Sequence, residues 1–393
     1  MNIIIICRFP FPVGYSGTNR IISYSKGLIE LGCKVKVLII RRTENKNNIK
    51  NKDNKGVFEG IEYEYTSKSN IKSNSKFSKA VYLIKDIIAS YIKLFKLAKI
   101  NPIDLLLISS DLCYDIFLFS RLNNINSIKK VFWIVDEYPS PIRYGSKSIS
   151  FISSLLYKNS LKRLNGLISM TKVVRDFYKG ICDFDFPSLI MPITVELENF
   201  IFPSNYNQNF KIITYIGNME IYKDNLDILI ESFSLFCKER NDYKLWLVGE
   251  GKDVHILKQK VDQMGLSNCV VFKGSKLRNE IPEILAISSI LVLTRVKNTR
   301  SDGGFPTKLG EYLASGKPVI LTNVGEINEY IIDQVNAFLV EPNNINAFSK
   351  CLLYVANHYE EAMKVGLEGR KLAEGVFNYK TQAIRMYDFF LRG

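Results

Sequence analysis

The feature that most restricts what this chain can fold into is a repeated unit: a short uninterrupted apolar run, a loop containing glycine or proline, and a helix with apolar residues at three- and four-residue spacing. Ile3 to Cys7 is the first such run. Continuous apolar runs of this length belong to strands buried on both faces, which occur in parallel sheets covered by helices. Ile21, Ile22, Ser25, Leu28 and Ile29 then recur at helical spacing, Gly32 ends the helix, and Val35 to Ile40 is the next strand, so the chain opens with a βαβ unit. Asp104 to Ser109, Val131 to Val135, Gly166 to Ser169 and Leu189 to Pro192 continue the series until the polar run Phe202 to Asn209 interrupts it as a linker would. A second series follows, with strands at Ile212 to Ile216, Tyr243 to Val248, Val270 to Lys273, Ile290 to Thr294 and Val319 to Leu321. At 393 residues the chain is long for one core. The reading is an α/β protein of two doubly wound domains, residues 1–204 and 205–376, with a closing helix in 377–393.

A composition of 47% hydrophobic and 23% charged residues fits a globular chain. The formal charge of +14 implies an anionic partner such as a membrane surface or a phosphorylated substrate, or reflects a bias toward Lys, Asn and Ile. Nucleic acid is excluded as a partner, since no basic-aromatic module accompanies the charge. The seven cysteines are scattered singly, which speaks against a disulfide framework and a metal-ligand set and for the cytoplasm. The apolar start is too short for a signal peptide core, and no apolar run approaches the roughly 20 residues that span a bilayer. Phe77, Val81, Ile84, Ile88, Tyr91, Ile92, Phe95 and Ala98 share one face of a helix, with Lys79, Asp86, Lys93 and Lys96 mostly opposite. Two readings stay open for this basic amphipathic helix: it packs its stripe into the core, or it lies on an anionic membrane as a peripheral anchor.

Three places carry candidate chemistry. The loop from Phe9 to Arg20, with Gly17, sits at the carboxyl end of the first strand, where open α/β sheets place ligands. The strand Val131 to Val135 runs into Asp136 and Glu137, two adjacent carboxylates at a strand end, suited to orienting or deprotonating a hydroxyl. The third is the stretch Gly303-Gly304-Phe305-Pro306-Thr307-Lys308 through Glu311 to Gly316, a turn feeding a helix start, where free N–H groups and Lys308 favour a phosphate. The polar loop 43–54 reads as mobile and without function.

The second half resembles the GT-B fold glycosyltransferases of the retaining family 4, or group 1. The resemblance is carried by Tyr215-Ile216-Gly217 with Lys223 six residues on, by Leu245 to Gly251, by Val270 to Gly274, and by Gly304-Phe305-Pro306 through Glu311 to Val319. It implies two Rossmann-like domains facing each other across a cleft, the first binding an acceptor and the second a nucleoside diphosphate sugar. It also implies metal-independent transfer of a hexose to a hydroxyl of a glycan or lipid-linked glycan in cell-surface polysaccharide synthesis, without a cofactor, at the inner face of the plasma membrane. Lys223 matches the lysine that neutralises the diphosphate, and Glu311 the second glutamate of the E-x7-E motif, which binds the ribose. Gly17, Gly217, Asn218, Gly249, Gly304, Phe305, Pro306, Thr307 and Lys308 fall at donor-binding positions, and Lys223, Glu311 and Asp136 are the expected catalytic residues, with Glu137 beside the acceptor. Two positions depart from the pattern: the first glutamate of the motif is Gly303, and the arginine after the first phosphate-loop glycine is Asn218. Lys308, Arg295 and Arg300 are candidates to replace the lost charge. The same departures leave an alternative open, a glycosyltransferase-like subunit that binds a partner enzyme or donor without catalysis.

Overall fold

Alternate residues of the first strand point to opposite sides of a sheet: Ile3 and Ile5 enter one core with the helix Ser16–Glu30, while Ile4 and Ile6 enter a second with the helices Lys76–Ile100, Cys113–Ser120, Phe151–Leu161 and Lys172–Ile181. Both faces are apolar because both are covered, which is why the strand has no polar alternation. In this computed structural model the described residues are 1–67, 69–73, 75–123, 125, 127–200 and 211–393. Among them, the strands β1 (Asn2–Cys7), β2 (Lys34–Ile39), β3 (Lys55–Phe58), β4 (Ile61–Tyr65), β5 (Ile103–Ser109), β6 (Ile128–Val135), β7 (Gly166–Ser169) and β8 (Ser188–Ile190) form a sheet in the order β3-β4-β2-β1-β5-β6-β7-β8. Every pairing is parallel except β3 with β4, a hairpin that adds an antiparallel edge. The order reverses beside β1, so the Phe9 to Arg20 loop starts at a topological switch point.

The polar loop 43–54 is tied down. Glu44 is buried and accepts from the Asn51 amide at 2.8 Å and the Lys50 N–H at 2.7 Å, and Asn51 exchanges two hydrogen bonds of 2.8 Å with the Val13 backbone. The loop therefore holds the one that follows β1. The expected linker at 202–209 lies outside the described residues.

The second unit carries β9 (Ile212–Ile216), β10 (Lys244–Val248), β11 (Val270–Gly274), β12 (Ile290–Leu293), β13 (Val319–Thr322) and β14 (Phe338–Val340), all parallel in the order β11-β10-β9-β12-β13-β14. Contacts divide the chain into Met1–Pro192 with Tyr379–Gly393, and Ile193–Asn378. The last helix, Tyr379–Arg392, belongs to the first unit: Phe389 and Phe390 pack on Phe132, and the Tyr379 hydroxyl donates to Glu30 at 2.5 Å.

The amphipathic helix Lys76–Ile100 buries only part of the face its sequence pattern offered, through Tyr91, Phe95 and Ala98. Asp86, Ser90, Leu94 and Ala98 point inward, while Phe77, Ile84, Ile88 and Ile92 are exposed. The inward polar groups are satisfied, Asp86 by Arg42 at 3.3 Å and Ser90 by Thr66 at 2.8 Å. Among the described residues no helix is long and apolar enough to cross a membrane.

Candidate functional site

The helix Lys308–Ala314 is two turns long, and its side chains divide three ways. Leu309 and Leu313 fill the core; Lys308 and Tyr312, one turn apart, meet the end of β9; Glu311 points elsewhere. The Tyr312 hydroxyl accepts from the Ile216 N–H at 2.7 Å and so fixes helix to strand. The Lys308 ammonium donates to Asp224 Oδ2 at 2.8 Å and to the Tyr215 hydroxyl at 3.0 Å, and Tyr215 in turn donates to the same carboxylate oxygen at 2.5 Å. Lys308 also lies 4.3 Å from the centre of the Tyr215 ring. Asp224 is almost wholly buried. Burial pushes its carboxyl up, but the charge of Lys308, with Lys223 and Arg295 behind it, more than offsets this and holds it below the usual carboxylate range. Burial lowers the Lys308 ammonium despite the pull of Asp224, and Lys223 and Arg295 add to the fall.

Two glycines make this arrangement sterically feasible. A Cβ on Gly217 would stand 2.0 Å from the Lys308 ammonium, and a Cβ on Gly249 would stand 1.9 Å from the Gly217 carbonyl oxygen. Any side chain at either position would displace the lysine or the turn.

Lys223 differs from Lys308. It is half-buried at the end of the short helix Ile221–Asp224 and acts electrostatically on both Asp224 and Lys308, and its ammonium has no hydrogen-bond or ion-pair partner among the described residues. Asn218 does not take up the role of the missing arginine: its amide donates to Glu220 at 2.9 Å, and the Arg300 guanidinium lies 3.6 Å from the same glutamate. Arg295 is buried and donates to the Gly304 carbonyl at 3.1 Å. Gly303 ends the helix Thr299–Gly303, which Asn298 caps, so the position of the absent glutamate is backbone at a helix end. Phe305 packs with Tyr330 and Phe377 at ring distances of 5.4 and 6.0 Å, Pro306 is buried, and Thr307 is exposed.

Glu311 is half-buried and has no hydrogen-bond or ion-pair partner among the described residues. Burial raises its carboxyl to about 7, against the charges of Arg278 and Lys308 and with a further push from Glu196. Arg278 and Glu196 pair with each other. The second unit thus presents a free ammonium and a free carboxylate, with the Lys308–Asp224 pair in electrostatic range of both.

Gly17, Asp136 and Glu137 belong to the first unit. Gly17 lies in the first turn of Ser16–Glu30, where a Cβ would stand 3.1 Å from the Phe9 ring. Asp136 is paired with Arg20, whose guanidinium also donates to the Tyr24 hydroxyl at 2.5 Å and the Met191 carbonyl at 3.3 Å. Glu137 accepts from Arg143 at 2.6 Å, and Arg143 reaches Asp111 at 2.8 Å, which also holds Arg8 at 3.0 Å. Sequence reasoning passed over Asp224, Arg20 and Arg143. Asp224 was findable as the residue after Lys223 and Arg143 as a cation six residues from Glu137; Arg20 gave no local signal, since its partner Asp136 lies 116 residues away.

Residues 197–372 match the family model described as glycosyl transferases group 1. An uncharacterized glycosyltransferase of Methanocaldococcus jannaschii is 30% identical over 170 residues, covering 43% of this chain and 45% of that protein. A poly(ribitol-phosphate) alpha-N-acetylglucosaminyltransferase of Staphylococcus aureus is 25% identical over 226 residues, 56% of this chain and 42% of that protein. The chain thus spans less than half the length of either relative. HepE of Anabaena, solved in complex with UDP, has the same fold, with a TM-score of 0.75 over 100% of both chains at 15% identity. The shared fold shows that the chain has the GT-B architecture, and within it residues 197–372 are those that match the glycosyl transferases group 1 family.

Proposed function

We propose that the chain is a retaining hexosyltransferase that moves a sugar from a nucleoside diphosphate donor to a hydroxyl of a glycan or lipid-linked glycan in cell-surface polysaccharide synthesis. The observation that carries this reading is that the unpartnered Lys223 ammonium and the unpartnered Glu311 carboxylate both lie in electrostatic range of Lys308. A nucleoside diphosphate offers the matching groups: an anion for the cation, ribose hydroxyls for the carboxylate. HepE was solved with UDP, and the staphylococcal relative is named for transfer to poly(ribitol-phosphate), which supports a nucleotide donor and a glycan acceptor.

In this proposal Lys223 stabilises the charge that grows on the diphosphate as its bond to the anomeric carbon breaks. Lys308 shares its remaining proton with the same group across Gly217, and Glu311 accepts from the ribose. Asp136, held by Arg20, orients or deprotonates the acceptor hydroxyl, and Glu137 lies beside the acceptor. The proposal includes neither a cofactor nor a metal ion, and sets the reaction in the cytoplasm. It is tested by supplying the protein with nucleoside diphosphate sugars and glycan acceptors and reading the product's anomeric configuration by NMR, with and without EDTA. Retained configuration and EDTA-insensitive turnover are expected; an inverted product or loss of activity with EDTA contradicts the corresponding part.

One observation favours a second reading, a non-catalytic subunit that binds donor or a partner enzyme: Gly303 and the Glu220-bound Asn218 leave two family positions without their usual groups. Donor affinity without turnover across the acceptor panel would select it.

A further inference from the structure

We infer that the outward faces of the helices Lys76–Ile100 and Phe151–Leu161 form a docking surface for an anionic lipid bilayer. The first helix spaces Phe77, Ile84, Ile88 and Ile92 by seven, four and four residues, which aligns them on one stripe. They are 79%, 60%, 52% and 50% exposed. The core side holds Asp86, Ser90, Leu94 and Ala98 with Tyr91 and Phe95 packed beside them, so the helix leaves a second apolar stripe in solvent. A surface helix normally turns a polar face to solvent. The stripe extends over about 22 Å at 1.5 Å per residue. The second helix adds Phe151, Ile152 and Leu155, of which the first two are 82% and 69% exposed. Both helices pack on the same side of the first sheet, with Cys113–Ser120 between them: Tyr91 stacks on Phe119, and Cys113 approaches Ser153 at 3.8 Å.

Charge selects the occupant. Lys85, Lys96 and Lys99 are exposed, border the stripe, and have no acidic partner among the described residues. The sole acid in Lys76–Ile100 is Asp86, turned inward to Arg42, and Phe151–Leu161 contains none. Apolar side chains flanked by lysines, with the exposed Asp183 beside the second helix taken up by Lys158, match a surface with negative headgroups above hydrocarbon, where lysine stems reach outward while the apolar residues enter. A copy of this chain would meet the same positive face with like charge.

This surface gives the lipid-linked acceptor of the proposed function its setting, and in that respect rests on that reading; vesicle binding is measured without donor or transfer, so the two fail separately. The test is co-sedimentation with phosphatidylcholine vesicles containing 30% phosphatidylglycerol at low salt, and with vesicles of phosphatidylcholine alone. The wild-type chain is expected to sediment with the anionic vesicles and at least tenfold less with the neutral ones. The combined variant Ile84→Ser, Ile88→Ser, Ile92→Ser should lower binding at least tenfold, and Lys85→Gln, Lys96→Gln, Lys99→Gln should remove the preference for phosphatidylglycerol. Unchanged circular dichroism and melting temperature show that both variants are folded, as expected for substitutions of exposed residues. Failure of the wild type to sediment at low salt, or wild-type binding by the serine variant, overturns the inference. So does a dimer, seen by light scattering, that the serine variant converts to monomer.

Discussion

The Lys308 ammonium stands 2.8 Å from the Asp224 carboxylate, and Asp224 directly follows Lys223 in the chain. One turn therefore neutralises the first of two neighbouring lysines and leaves the second free. Removing Asp224's charge should strand a cation among buried groups, and Asp224→Asn is expected to cost about 3 kcal/mol. Asp224→Leu combined with Lys308→Met removes both charges and should recover most of that loss without restoring donor affinity. Urea denaturation of the two single variants and the pair gives the coupling; additive losses would show that the two residues act independently.

Lys223→Met should behave in the opposite way. Its side chain has no partner to lose, so the melting temperature should stay within a degree or two of wild type, while affinity for a nucleoside diphosphate falls on the order of 100-fold, as for a lost charge-assisted contact of about 3 kcal/mol. The salt dependence of binding should weaken with it. Unchanged affinity would remove Lys223 from the site.

Gly217→Ala places a methyl group 2.0 Å from the position of the Lys308 ammonium. Lys308 must leave Asp224, and stability should drop by about 1–3 kcal/mol. Adding Lys308→Ala empties the space, so the double variant should be no less stable than Lys308→Ala alone. Thermal melts of the three proteins decide this, and a double variant less stable than either single one would locate the clash elsewhere.

Glu311 predicts a pH signature. Its folded-state value of about 7 lies above the ordinary 4.5, so between those values the folded protein holds a proton that the unfolded chain has released. Stability contributed by this group therefore falls as pH rises through that window. Glu311→Gln should remove the slope: the ligand-free variant should melt above wild type at pH 8, by on the order of 1–2 kcal/mol, and like it near pH 4.5. Donor affinity of the wild type should rise from pH 6 to pH 8 as the carboxylate forms, and that of Glu311→Gln should stay low and flat.

The two parallel sheets were legible in the sequence because buried strands such as Ile3 to Cys7 have no polar alternation and end at turn glycines. The second unit's candidate site was partly legible, since Lys223 follows Gly217 by six residues after β9 and Lys308 and Glu311 lie three apart on one helix. What escaped was pairing over distance. That Asp136 meets Arg20 and that Lys308 meets Asp224 depends on which strands become neighbours, which no local window contains. The helix Lys76–Ile100 was legible in part for another reason: its periodicity identified an apolar stripe but carried no information about how much of it the sheet would cover, and Tyr91, Phe95 and Ala98 are covered while Ile84, Ile88 and Ile92 are not.

The central claim is that the end of β9 and the helix Lys308–Ala314 hold a nucleoside diphosphate sugar through Lys223 and Glu311. Isothermal titration of a panel of nucleoside diphosphate sugars into wild type, Lys223→Met and Glu311→Gln tests it most directly. The account predicts saturable binding of at least one member to wild type and a loss of tenfold or more in each variant. Binding to wild type that both variants retain unchanged would contradict it.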